Sequence, residues 1–402
     1  MCEVYDRPRD GGVKRISRTT HVSPDSSKGN VMKSRAAVLW EVGQDWSVED
    51  ITIDDPGPGE VLVKTKAAGM CHSDEHVVTG DMPMPHYPCI GGHEGAGEVI
   101  AVGAGVSSVA VGDHVSMSFI PSCGRCKWCV SGKSNLCDLG AKLFDVGMMT
   151  DGRIAHKTGT TDLARMCQLG TFAEHLLVSE DAVVKVENDL PWHAVALVSC
   201  GVATGYGSSV HRAEVGPGDT VAVIGAGGIG MNAIQGARIA GAKRIIAIDP
   251  VEFKREKAME FGATHTYSSI EEAMGPVAEL TWGEMANKTI ITVGVMTGDL
   301  VDPALNLTAK GGTVVITAVA SMFAQDVTMN MFMLSMMNKE VKGCLFGSGN
   351  PRYDIPNLLS MYREGSLKLD ELVTKTYTLD EVNVGYQDMR DGKNIRGVIN
   401  FD

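Results

Sequence analysis

No run of 18 or more apolar residues occurs in the chain, so no membrane-spanning helix is expected. The N-terminal segment also lacks the apolar stretch of a secretory signal. Positive charge is in deficit. Lys and Arg number 36 against 49 Asp and Glu, a formal charge of −13. That balance argues against a nucleic-acid or membrane-surface partner, since either needs a basic face. Aromatic residues are scarce, at 5%, which leaves the width of any ligand pocket open. Cysteine is the exception, with ten in a long chain that has no export signal. Such usage points to a cytoplasmic protein with metal or catalytic thiols, not to a disulfide framework.

A length of 402 residues suggests two or three domains, and 44% hydrophobic content is enough for a large core. The 47 glycines imply many tight turns or close approaches of backbone to ligand. Residues 1–32 carry six Lys/Arg and four Asp/Glu. The acids Glu3, Asp6, Asp10 and Asp25 count against a mitochondrial presequence. We read this segment as a flexible extension or a misplaced start, with Met32-Lys33 a natural beginning. From 33 to 200, short strand-like runs such as Val61–Thr65 and Gly97–Val102 alternate with Gly and Pro, as in a β-rich domain. From 201 to 344 strands alternate with helices: Thr220–Ile224, Gly228–Ala240, Arg244–Ile248, Val251–Phe261, then Lys288–Val293 and Thr313–Thr317. That alternation means βαβ units and a doubly wound parallel sheet, so the expected class is α/β. Residues 345–402 are mixed and end in a strand-like run, Arg396–Phe401, which can return the chain to the first domain. The stretch from Asp138 to Gly170 shows no regular periodicity. Met329, Met331, Met333, Met336 and Met337 read either as core filling or as an adaptable apolar surface.

Cys123, Cys126, Cys129 and Cys137 form C-x2-C-x2-C-x7-C. Four thiolates within fifteen residues can close a tetrahedron around Zn2+, and Arg125, Lys127 and Lys133 can offset its negative charge. An iron–sulfur run would need a shorter last gap and a following Pro, whereas Asp138 follows here. A closed site of this kind is structural. A second set is Cys71, His93 and Cys200. Two thiolates and a neutral imidazole would cancel the charge of Zn2+ and leave one position open. Each alone reads as an ordinary buried residue; the combination with the next motif gives them meaning. Val221–Ile224 runs into Gly225-Ala226-Gly227-Gly228-Ile229-Gly230 and then a helix. In that context G-x-G-x-x-G binds a dinucleotide pyrophosphate at the helix N-terminus. Asp249, at the end of the second strand, can accept from both ribose hydroxyls and would repel a 2′-phosphate, favouring NAD over NADP. Lys254 flanks the ribose or lies on a solvated helix face.

With both metal patterns and the nucleotide loop in this order, residues 33–402 resemble the zinc-dependent medium-chain alcohol dehydrogenases. The second ligand set is a match to that family's, not an independent derivation. The resemblance implies a GroES-like β-rich catalytic domain, 33–200 with 345–402, and a Rossmann NAD-binding domain, 201–344. It implies two Zn2+ per chain, one held by Cys71, His93 and Cys200 with Glu94 beside it. It also implies that Ser73 touches the substrate oxygen and that His76 ends a proton relay to solvent through the cofactor ribose. His72 and Arg396 would face the pyrophosphate and Thr204 the nicotinamide. The stretches Gly69–Asp74, Gly91–Gly97 and Met166–Ala173 are most similar to the nitrosodimethylaniline-dependent nicotinoprotein branch. There NAD(H) is held tightly and recycled in place by an acceptor. The implied substrate is a small alcohol or aldehyde, primary alcohols foremost, and the implied assembly a homo-oligomer. Two rivals stand beside this reading. A thiol-dependent formaldehyde dehydrogenase of the same family would need a cationic pocket. A zinc-binding regulatory protein would need no nicotinamide. Cys2, Cys89, Cys167 and Cys344 carry no assignable role.

Overall fold

The structure, a computed structural model, describes residues 31–401. Residues 1–30, most of the expected extension, lie outside that range; Met32 already opens the first strand, Met32–Leu39. No helix among the described residues is long and apolar enough to cross a membrane.

The runs Thr220–Ile224, Arg244–Ile248 and Ala286–Ile291 are mostly buried Val, Ile and Ala. Such runs suit a parallel sheet, where helices cover both faces. The sheet is parallel throughout. Its order is His265–Tyr267, Arg244–Ile248, Thr220–Ile224, Ala286–Ile291, Thr308–Ile316, Glu340–Gly343. In chain order this is 3-2-1-4-5-6, the Rossmann arrangement. Thr220–Ile224 therefore pairs with both Arg244–Ile248 and Ala286–Ile291, and the winding reverses there. The crevice beyond the carboxyl ends of strands at such a switch point is where ligands bind. Gly225 and Thr292 stand at its two lips.

The remainder is built on two mainly antiparallel sheets. Glu60–Gly69 is central to one of them, pairing with Glu94–Val102 and His175–Ser179. The last strand, Arg396–Asn400, pairs antiparallel with Ala67–Gly69, so the chain end returns to the β-rich part. Residues 192–212 are helical throughout, with π-turns at Val198–Val202 and Ser208–Arg212. The 200/201 boundary read from the sequence falls inside this helix, so one rigid element serves both parts.

The aperiodic stretch 138–170 is ordered by short ladder pairings, to Thr52–Ile53 and to Cys89–Ile90, and by buried side chains. It holds a 3-10 turn at Asp138–Lys142 and short strands at His156–Thr158, Thr161–Asp162 and Ala164–Arg165. Glu60 is fully buried and accepts from Arg153 at 2.5 and 2.6 Å and from Thr150 at 2.5 Å. Gln168 Nε2 donates to the carbonyls of Asp145 and Gly147, and its Oε1 accepts from Met149 N and Arg165 Nη2. A buried carboxylate left without its cation is expensive. Arg153→Met is therefore expected to cost about 3 kcal/mol, the low end for a broken buried pair because Arg153 is 28% exposed. Denaturant unfolding would show it, and an unchanged midpoint would mean that this pair does not anchor the segment.

Candidate active site

Cys71 caps the helix His72–Thr79 in extended conformation, and Asp74 reaches back so that its Oδ2 accepts from Cys71 N at 3.3 Å. The other Asp74 oxygen accepts from Gly92 N at 3.0 Å and faces His93 Nδ1 at 3.1 Å. One buried carboxylate thus sets the positions of two ligand-type residues. Gly92 permits this approach: its φ is +87°, and a Cβ there would collide with Thr171 and Phe172. Cys200 enters from the π-turn of the long helix, a geometry that recurs at functional sites. Ligand atoms of Cys71, His93, Glu94 and Cys200 lie within 4.8 Å of one another, all buried. His93 Nε2 is buried with no hydrogen-bond partner, as is Glu94 Oε1. A divalent cation fits this donor set: two sulfurs, and an imidazole whose other nitrogen is held by a carboxylate.

Without a cation, the buried groups share their protons unevenly. Contact with the Cys200 thiol, helped by His93 and Arg396, holds the Cys71 thiol well below its ordinary value. The same contact, together with burial, pushes Cys200 up. Burial pulls the His93 imidazole down, but Asp74 and Cys71 outweigh it and raise it. Burial raises Glu94 to about 7 against the pull of Arg396. A bound dication would draw both thiols to thiolate.

The second cluster is Cys123, Cys126, Cys129 and Cys137. Sulfur separations are 3.9 Å for Cys123–Cys129 and 4.0 Å for Cys126–Cys137. Zn–S bonds of about 2.3 Å imply tetrahedral edges near ~3.8 Å. Backbone N–H groups of Asp138 and Cys129 lower the Cys126 thiol.

A cleft of about 520 Å³ opens between the parallel sheet and the β-rich part. Of the residues expected from the sequence, Cys71, His72, Ser73, His76, Gly225, Gly227, Gly228, Ile229, Asp249, Lys254 and Arg396 line it. The glycines divide by role. A Cβ on Gly225 would strike Thr292 and Val293, on Gly230 the carbonyl of Gly225, and on Gly228 the side chain of Arg396. At Gly227 nothing lies within 4 Å, so its missing side chain leaves room for a ligand. Gly230, His93, Glu94, Cys200 and Thr204 stand behind the lining; the Thr204 hydroxyl is buried and unpartnered, one turn beyond Cys200. Ser73 Oγ is 3.8 Å from Cys71 Sγ.

Three of the expected residues have partners that local sequence does not announce. His76 does not end at solvent: its side chain is 2% exposed, with Nε2 3.0 Å from the carbonyl of Gly294 and Nδ1 3.5 Å from Asp81 Oδ2. Arg396 lines the cleft against Gly228. It is buried, and its Nη2 is ion-paired with Glu94 Oε2, because a buried guanidinium requires a counter-charge. Each Asp249 oxygen already accepts one bond, from Ala226 N at 2.8 Å and from Val251 N at 2.9 Å. Each retains a second lone pair.

Residues 57–188 match the alcohol dehydrogenase GroES-like domain family, and residues 228–364 match the zinc-binding dehydrogenase family. The chain belongs to the zinc-dependent medium-chain alcohol dehydrogenases. It is 52% identical to alcohol dehydrogenase B of Mycobacterium tuberculosis, over 92% of this chain and 99% of that one. It is 53% identical to the NDMA-dependent alcohol dehydrogenase of Amycolatopsis methanolica, with the same coverage. Benzyl alcohol dehydrogenase from Acinetobacter calcoaceticus superposes with a TM-score of 0.85 at 29% identity, over 92% of this chain and 100% of that one.

Sequence reasoning missed Asp74, although an acid three residues after a helix-capping Cys71 is a readable signal of reciprocal capping. It also missed Thr292, whose hydroxyl donates to the carbonyl of Gly225 at 2.6 Å, and Gly294. Asp74→Asn removes the charge that orients His93. Zinc affinity at this cluster is expected to fall roughly 10- to 100-fold with the four-cysteine cluster still loaded. Chelator competition would measure it, and full retention of both ions would refute the orienting role.

Proposed function

We propose that this chain oxidises primary alcohols to aldehydes, and catalyses the reverse, with hydride exchanged with NAD(H) in the cleft. The observation that carries this reading is continuity. One cleft is lined at one end by Cys71 and Ser73 and at the other by Gly225, Gly227 and Asp249. The proposed roles follow chain segments 33–200 with 345–402 as the catalytic unit and 201–344 as the nucleotide unit, sharing the long helix.

When bound, zinc polarises the alcohol oxygen and the nicotinamide accepts the hydride. Cys71, His93 and Cys200 would hold that zinc, and Asp74 keeps the His93 ring turned toward it. Cys123, Cys126, Cys129 and Cys137 would hold a second, structural zinc. Ser73 Oγ is placed to take the alcohol proton, with His76 one turn further along the same helix as the next group of the relay. Gly225, Gly227, Gly228, Ile229 and Gly230 shape the pyrophosphate cradle, with His72 and Lys254 on its rim and Thr204 beneath the nicotinamide position. The Asp249 carboxylate disfavours a 2′-phosphate, which supports NAD over NADP. The thiol-adduct reading is less well supported: of the cleft's Lys and Arg, Lys254 and Arg396, the second is already paired with Glu94.

Homo-oligomerisation is supported by an apolar surface beside the open sheet edge at Glu340–Gly343, where Phe323, Met331, Phe332 and Met336 are exposed. That exposure removes the core-filling reading of Met331 and Met336. All nine described cysteines are unpaired, in keeping with a reducing, cytoplasmic setting.

Similarity to the NDMA-dependent relative supports a tightly held NAD(H) that is recycled by an external acceptor. Desalted protein given a primary alcohol and nitrosodimethylaniline, with no NAD added, is expected to bleach the dye. Bleaching only after NAD is supplied would mean an exchangeable cofactor. No alcohol oxidation under either condition would refute the proposed activity.

A further inference from the structure

We propose that Asn394, held in one orientation by Tyr377, accepts a hydroxyl of the cofactor's adenosine ribose from the wall of the cleft opposite Asp249; this rests on the NAD(H) reading above.

Asn394 stands just before the last strand, Arg396–Asn400, and lines the cleft although it is buried. Its amide is oriented from behind. Tyr377 closes the strand Val373–Tyr377, which runs parallel to the last one. Gly397 makes room for the phenol ring, since a Cβ there would come within 2.9 Å of it. Beyond the phenol lies Asp388, on the helix Val382–Arg390. Its Oδ2 accepts from Lys375 Nζ at 2.6 Å and from Tyr377 Oη at 2.9 Å. Lys375 and Tyr377 together hold Asp388 below the ordinary carboxylate range. Burial, with Asp388 beside it, pushes the Tyr377 phenol up to about 12. Asp388 is therefore an anion that can only accept, and the single phenol proton points at it. The phenol oxygen has lone pairs left, and Asn394 Nδ2 donates to it at 3.3 Å. Turning the amide over would set the Oδ1 lone pairs against those of the phenol. The network thus decides which end of the amide is left for the cleft, and that end is an acceptor. Among the described residues, Asn394 Oδ1 has no donor.

The neighbours of Asn394 fix its place along the dinucleotide. Arg396 lies against Gly228, in the pyrophosphate loop. A Cβ on Gly392 would come within 3.7 Å of the Val251 side chain, two residues past Asp249. Asn394 stands between these two contacts, opposite the stretch that runs from pyrophosphate to adenosine ribose. A pyrophosphate offers only acceptors, so an amide locked with its oxygen outward does not suit it. The donors in that stretch are the ribose hydroxyls. Asp249 meets the same ribose from the nucleotide wall. A ribose held from both walls ties release of the cofactor to parting of the cleft.

The test uses full-length, zinc-loaded protein exchanged with NADH, or with an NADH analogue whose adenosine ribose lacks both hydroxyls. Release into excess ADP-ribose is followed by nicotinamide fluorescence. Asn394→Leu keeps the side-chain volume but offers no acceptor, and is expected to speed NADH release roughly fivefold. The analogue should leave Asn394→Leu and wild type at the same rate, since it has no hydroxyl to lose. Tyr377→Phe keeps Asn394 but frees its amide, and should speed NADH release roughly twofold with no effect on the analogue. Zinc content should match wild type in both variants. Unchanged NADH release in Asn394→Leu would overturn the contact and leave the amide to water. Equal acceleration of NADH and the analogue would also overturn it, because a mere loss of local packing does not distinguish the two. Wild-type protein that takes up no NADH would instead overturn the NAD(H) reading, and the contact with it.

Discussion

The buried guanidinium of Arg396 is the constraint around which the site is assembled. A cation at 5% exposure needs a counter-charge, and Glu94 supplies it from the residue after His93. The side chain of Arg396 fills the space where Gly228 and Gly201 would carry a Cβ. Four distant pieces of chain therefore meet on one side chain: the last strand, the segment that carries the histidine ligand, the long helix at Gly201 and the opening of the nucleotide helix. None can shift without uncovering a charge. The metal cluster and the dinucleotide loop are in this way held at a fixed separation by an interaction that touches both.

Asp74 plays the corresponding part within the metal cluster. A single carboxylate accepts from Cys71 N and Gly92 N and faces His93 Nδ1, so that the backbone and one imidazole are set together. The unpartnered His93 Nε2 is the consequence: one nitrogen is fixed by Asp74 and the other is left aimed among the sulfurs. Cys200, by contrast, depends on the π-turn of a helix that runs through both parts of the molecule. Relative movement of those parts would be felt directly at the metal position.

Much of this was legible in the sequence because it rests on local spacing. Four cysteines within fifteen residues, a G-x-G-x-x-G string between a strand and a helix, and a closing strand ending near Phe401 each carry their own signal. What was not legible depends on partners far apart in the chain. The pairing of Arg396 with Glu94 spans 302 positions and the contact of His76 with Gly294 spans 218. No periodicity announces either. The stretch 138–170 failed for a related reason: its strands are only two or three residues long, and Glu60, Arg153 and Gln168 tie it down through side chains, so no repeat is left to read. The helix across residue 200 was hidden because the change in pattern there reflects a change of packing partner, not an end of the element.

In the proposed function two metal clusters, one structural and one behind the wall of the nucleotide cleft, divide the work. Metal analysis of purified wild type, Cys71→Ser and Cys123→Ser tests it most directly. Two zinc ions per chain are expected in wild type, one for each cluster. One is expected in Cys71→Ser, with thermal stability largely kept and alcohol oxidation abolished, and loss of both zinc and stability in Cys123→Ser. A Cys71→Ser protein that keeps both ions and still oxidises alcohols would contradict it.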